Sequence, residues 1–202
     1  MKVIEGFNGT VEFALVKLAR PQIHVVWKDT NNIEGVEVKL KKDGETFDFG
    51  KTGADGVARL KSDAKALLPG DYEAELVFDK KIYDREKHPT ALKVTEALDG
   101  VLKVALIKLA RPKFKIVDNT TGKEVQGVGL KLTLSGASSP NYDLGESRPS
   151  GIVELADVPG ILPGKYDIKP AADRFGPTLN SPADVTLDEG STTTTEVITP
   201  GV

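Results

Sequence analysis

One stretch of the chain is written twice, and this duplication limits what it can fold into more than any other feature. Residues 11–21 read Val-Glu-Phe-Ala-Leu-Val-Lys-Leu-Ala-Arg-Pro, and residues 102–112 read Leu-Lys-Val-Ala-Leu-Ile-Lys-Leu-Ala-Arg-Pro, 91 residues later. Each copy follows a turn signal, Asn8-Gly9 or Asp99-Gly100. Such pairs favour type I′ hairpins, which need positive φ at both central positions. Apolar residues then alternate. Val11, Phe13 and Leu15 answer to Leu102, Val104 and Leu106, while Ala14, Val16 and Leu18 answer to Ala105, Ile107 and Leu109. The pattern predicts a strand buried on both faces near its end, closed by a proline that cannot donate to a ladder. Arg20, Pro21, Arg111 and Pro112 are therefore read as seam residues between β-modules. The two arginines are expected to pair with a carboxylate of the neighbouring module. No Gly or Ser spacer interrupts either seam, which predicts a restrained joint.

The rest of the chain repeats with drifting offsets. Ile33-Glu-Gly-Val-Glu-Val-Lys-Leu40 matches Val125-Gln-Gly-Val-Gly-Leu-Lys-Leu132, and Leu67-Leu-Pro-Gly-Asp-Tyr72 matches Ile161-Leu-Pro-Gly-Lys-Tyr166. Residues 136–149, rich in Ser, Pro, Asn and Gly, read as an insertion in the second copy. Short alternating runs between glycine turns, with no helical period, predict an all-β protein of two tandem Ig-like β-sandwiches. The expected layout is an N-terminal β-hairpin at 1–21, a first module at 22–111 and a second at 112–202. Leu18, Leu109, Tyr72 and Tyr166 are expected in the cores, with Tyr83 and Phe175 as equivalent aromatic plugs.

Charge and composition exclude several functions. The net charge is −3 with both signs interspersed, so neither nucleic acid nor membrane insertion is expected. The chain has no cysteine, which removes disulfides, thiol catalysis and thiolate metal sites. The first residues lack the apolar segment of a secretory signal.

An early strand, Gly-Val-x-Val-x-Leu, Thr-Gly-x-Asp-Gly, Leu-x-Pro-Gly-x-Tyr and a closing hairpin together resemble the transthyretin-like group. That group includes carboxypeptidase-regulatory-like and collagen-adhesin B-type repeats. The second copy departs from the pattern at Arg148-Pro-Ser-Gly151, where Asp-Gly is expected. The resemblance implies a non-catalytic structural or adaptor module in a bacterial or phage assembly. Such modules occur as spacers in surface adhesins and as effector-docking extensions of secretion spikes. The implied partners are other proteins or neighbouring repeats, and the implied location is exported or surface-exposed. Collagen-adhesin repeats often crosslink Lys to Asn near the last strand. No Asn lies between Ala91 and Pro112 or after Asn180, so no such bond is expected. The related hydroxyisourate hydrolases end in Tyr-Arg-Gly-Ser, whereas this chain ends Thr-Pro-Gly-Val.

No catalytic, cofactor or metal residue is assigned. His24 and His88 stand apart from any nucleophile elbow or metal-spaced partner. The acids Asp29, Asp43, Glu45 and Asp55 form no calcium ladder. Tyr142 and Arg148 are the candidate partner-binding residues, since Tyr and Arg are enriched in interface hot spots. Two rival functions are a carbohydrate-binding sandwich using Trp27, although that strand reads as core-facing, and a transthyretin-like hydrolase. Closing hairpins are expected at 3–18, 92–109 and 185–198, but only two module bodies exist to close. The first is therefore expected either to belong to a longer array, or to add to a sheet of the first module or of another copy, the last giving head-to-tail self-association through residues 3–18.

Overall fold

The computed structural model describes residues 14–85, 91–155, 159–171 and 184–199, and all its regular structure is β. The N-terminal half contains β1 (Gln22–Trp27), β2 (Asn31–Asn32), β3 (Glu37–Lys42), β4 (Glu45–Lys51) and β5 (Val57–Arg59). It continues with β6 (Gly70–Val77), β7 (Tyr83–Asp84), β8 (Ala91–Val94), β9 (Val101–Ala105) and β10 (Ile107–Lys108). The C-terminal half contains β11 (Lys113–Asp118), β12 (Gly129–Leu134), β13 (Asn141–Glu146) and β14 (Ile152–Glu154). Its last strands are β15 (Gly164–Pro170), β16 (Asp184–Leu187) and β17 (Thr194–Thr199).

Both halves use one plan. One sheet runs β4-β3-β6-β8 in the first half and β13-β12-β15-β16 in the second. The opposing sheet is centred on the first strand of each half. β1 pairs antiparallel with β5 and parallel with β9; β11 pairs antiparallel with β14 and parallel with β17. A parallel partner cannot be reached by a tight turn. Each first strand therefore gains its closing partner only after the rest of that half has been traversed.

Period-2 alternation explains the sandwich. On β3, Val38 and Leu40 are buried, and on β4 Phe47 and Phe49 face the same core. They join Ile23, Val25, Tyr72, Val104 and Leu106 in one cluster. A second cluster contains Phe114, Ile116, Leu130, Leu132, Tyr166 and Val197. Fully burying a large apolar side chain contributes about 1.5–3 kcal/mol, so each half has its own source of cohesion.

Turn chemistry is duplicated even where the sequence drifts. The Thr52 hydroxyl donates to Ile33 O at 2.7 Å and accepts from Val36 N at 2.9 Å. Ser147 does the same with Val125 O and Val128 N, at 2.7 and 3.0 Å. Arg148-Pro-Ser-Gly151 makes the same turn as residues 53–56 despite lacking Asp-Gly. In both, the glycine N–H donates to the carbonyl three residues back at 2.8 Å, and its φ is +71° at Gly56 and +69° at Gly151. A Cβ at Gly151 would lie 2.6 Å from Ile116 O. This close approach, rather than the preceding acid, is what the turn requires.

Several expectations change. The insertion at 136–149 contains a strand, β13, whose Tyr142 faces Leu132 across the ladder as Phe47 faces Leu40. Trp27 is half-buried at the edge of the core, with the Lys28 and Lys108 ammonium groups 5.4 and 4.6 Å from its ring centre. Tyr72, Tyr166 and Leu109 are buried as expected, but Leu18 is exposed. Residues 14–18 join no strand of the described sheets, and among the described residues no strand pairs beside Leu18 as β7 does beside Leu109 in the second copy. Tyr83, expected as a plug, is half-buried against the first core. The Asn8-Gly9 turn and the remainder of the N-terminal hairpin, His88 and Phe175 lie outside the described residues.

Candidate functional site

The two halves meet at residues 107–113, where one extended segment, from β10 to the start of β11, serves both. Ile107 and Lys108 pair antiparallel with Asp84 and Tyr83, and Leu109 N–H donates to Ile82 O at 2.7 Å. One residue later the partners belong to the other half. Ala110 exchanges both main-chain bonds with Ile161 at 2.8 Å, Arg111 N–H donates to Ser191 O at 2.8 Å, and Lys113 N–H donates to Thr193 O at 3.0 Å. Lys108 is bonded to the second half as well. Its N–H donates to Glu189 Oε1 at 2.9 Å, and its carbonyl accepts from Gly190 N–H at 2.9 Å.

Further bonds cross directly. Gly160 N–H donates to Lys81 O at 3.1 Å, and Arg111 Nη2 reaches the same carbonyl at 3.3 Å. Gly160 permits this approach, because a Cβ there would lie 2.6 Å from Leu109 Cβ and 2.8 Å from Ala110 O. Pro112 is buried and fixes φ near −65° at the joint. Among the described residues, the contacts of Arg20 are carbonyls rather than the expected carboxylate of a neighbouring module. Arg111 addresses a carbonyl of the other half, and Arg20 donates to Lys61 O and Ala64 O at 3.2 and 2.7 Å within its own half. Pro21 is buried beside it.

Beside the joint lies a cleft of about 940 Å³, walled by Leu76, Phe78, Tyr83, Leu109, Tyr142 and Leu162. Tyr142 reaches it from β13 and meets Tyr166 edge-to-face, with ring centres 5.8 Å apart. Arg148 is not part of this wall; its Nη1 donates to Glu154 Oε1 at 2.9 Å on an exposed turn. The two candidate partner-binding residues therefore do not form one patch. Arg85 also lines the cleft, and sequence reasoning missed it. Its Nη1 donates to Ala74 O at 2.6 Å, while Nε and Nη2 are buried without a bonding partner among the described residues. Burial lowers its pKa from the usual guanidinium value. No sequence motif marks it, because its burial comes from elements distant in the chain.

His24 Nε2 lies 2.8 Å from Asn32 Oδ1, and His24 does not line the cleft. Among the described residues, no group of three or more His, Cys, Asp or Glu side chains could hold a metal ion. Among the same residues, no helix is long and apolar enough to cross a membrane. The described site is thus a stiff joint with an apolar cleft at its side.

No protein-family model matches the sequence, and no curated protein matches it. Among solved structures, the chain is similar to GBS52, the minor pilin of the gram-positive pathogen Streptococcus agalactiae. The identity is 17% and the TM-score 0.42, covering 91% of this chain and 96% of that one. It is also similar to the shaft pilin SpaA of Lactobacillus rhamnosus GG, with 11% identity and a TM-score of 0.37 over 93% of this chain and 98% of that one. The Bacillus anthracis TIE protein is 16% identical with a TM-score of 0.40 over 91% of this chain, which spans only 34% of the TIE protein's length.

Proposed function

We propose that the chain is a non-catalytic structural and adaptor element of a bacterial or phage assembly. In this reading it comprises two transthyretin-like β-sandwich modules, 22–111 and 112–202, that hold neighbouring proteins or repeats at a fixed spacing. Its place would be an exported or surface-exposed structure, such as a surface-protein spacer or a secretion-spike extension. The observation that supports this is the joint. Main-chain bonds change allegiance between Leu109 and Ala110, and Lys108, paired in register with Tyr83 of the first half, directs its N–H and carbonyl to the second. Swinging one half on the other would break several hydrogen bonds, each contributing about 1 kcal/mol net. Such a joint transmits position and force, whereas a flexible tether would not.

Small-angle scattering tests the reading. The chain should behave as an elongated particle with one defined maximum dimension, and a Gly-Ser insertion between Leu109 and Ala110 should broaden the distribution. A broad ensemble of inter-half angles in the native chain would reject it.

A further inference from the structure

We propose that the cleft beside the joint binds an extended acidic peptide of a partner protein, taking one side-chain carboxylate on Arg85 and the flanking apolar side chains on Phe78, Tyr83 and Tyr142. This rests on the adaptor reading above and names the chemistry of the partner. The observation that carries it is the guanidinium of Arg85. Nη1 is used, donating to Ala74 O at 2.6 Å, while Nε and Nη2 are buried and bond to nothing among the described residues. The acid among those residues that acts on it is Glu73, through its charge and not through a hydrogen bond. Buried polar groups are nearly always bonded, and an unpaired buried cation is among the costliest exceptions. Arg85 stands in the wall of a cleft, where a ligand can complete its bonding.

The unused pair of nitrogens defines that ligand. Nε and Nη2 share one edge of the planar group, so their N–H bonds form a fork that fits the two oxygens of a carboxylate. The charge of the wall agrees. Lys80 and Arg85 stand against one acid, Asp84, which leaves a single positive charge. A carboxylate monoanion balances it, whereas a phosphate group carries about twice that charge.

The rest of the wall suits what flanks such a carboxylate in a peptide. Phe78, Tyr83 and Tyr142 offer aromatic surface, and the volume of about 940 Å³ is ample for a short segment. Main-chain bonds at Leu109, Ala110 and Gly160 hold the two sides together, so the cleft is formed before a ligand arrives. Preorganisation of this kind reduces the ordering cost of binding. Nε and Nη2 are closed off in the chain alone, so the carboxylate reaches them with a side-chain movement in the wall. Such rotamer changes are common at interfaces whose backbone stays in place.

Nuclear magnetic resonance titration tests the proposal with three peptides. They are acetyl-Phe-Glu-Leu-amide, its neutral twin acetyl-Phe-Gln-Leu-amide, and acetyl-Phe-Leu with a free terminal carboxylate. The native chain should bind the Glu peptide about tenfold or more tightly than the Gln peptide. Arg85→Gln keeps a donor for Ala74 O and should erase that difference, whereas Tyr142→Ala should weaken both peptides alike. A readout that needs no variant is the Arg85 Nε–H resonance of the native chain, which should move with the Glu peptide and stay in place with the Gln peptide. Equal affinity for the two peptides, a preference that survives Arg85→Gln, or no binding of either at millimolar concentration would each overturn the proposal. Binding confined to the free-acid peptide would assign the fork to chain ends and overturn it too. Scattering from the native chain reports the joint separately, so failure of the peptide site and failure of the spacer reading are distinguishable.

Discussion

The Tyr166 hydroxyl donates to the carbonyl of Leu162, four residues earlier, at 2.9 Å. The bond ties the start of β15 to the residue that walls the inter-half cleft. Tyr72 repeats it with Leu68 O at 2.7 Å. Each tyrosine meets an aromatic edge-to-face, Tyr166 with Tyr142 and Tyr72 with Phe47. A buried Tyr needs a partner for its hydroxyl, and the turn before the strand supplies one.

Tyr166→Phe should lower stability by about 1 kcal/mol through loss of that bond. Tyr166→Ala should cost about 3–5 kcal/mol, because the ring is fully buried. Urea denaturation of the two variants separates the contributions.

The same residue sets a pH response. Burial, with Tyr142 beside it, raises the Tyr166 pKa above the ordinary phenol value. Desolvation likewise raises that of Tyr72. The folded state therefore holds these protons more tightly than the unfolded state. Their stability contribution is complete below the unfolded value of about 10 and is lost as pH rises from there toward the raised folded values. Denaturation midpoints measured from pH 8 to 11 should fall at the alkaline end, and less steeply for Tyr166→Phe.

Thr52 and Ser147 each hold two backbone groups of a buried turn. Thr52→Val keeps the shape and leaves Val36 N–H and Ile33 O without that partner, which should cost about 1–3 kcal/mol. Ser147→Ala should act alike in the C-terminal half. Thermal melts followed by circular dichroism would measure both.

Gly160→Ala should strain the joint, since its Cβ would meet Leu109 Cβ and the backbone oxygen of Ala110. Overpacking of this kind costs about 1–3 kcal/mol. Hydrogen exchange should rise at the amides of Leu109 and Gly160, while the core strands of each half keep their protection.

Leu109→Ala should cost about 2–5 kcal/mol. Leu18→Ala should stay within about 0.5 kcal/mol, as expected for an exposed site. Equal costs in calorimetry would contradict the difference in burial between them.

The sequence by itself determined the all-β class, the duplicated plan and most core positions. Those features depend on local rules: Val38, Leu40, Phe47 and Phe49 alternate with polar neighbours, and glycine turns separate the runs. Tertiary structure alone decided the fates of Leu18 and Leu109, which lie in identical Lys-Leu-Ala-Arg-Pro contexts. It also made Tyr142 a strand residue rather than part of an insertion, and it buried the guanidinium of Arg85 beside a cleft no motif announces. The physical reason is the same in each case. Alternation states which side of a strand is apolar, but exposure depends on what stands opposite, and that is supplied by residues tens of positions away or by another body.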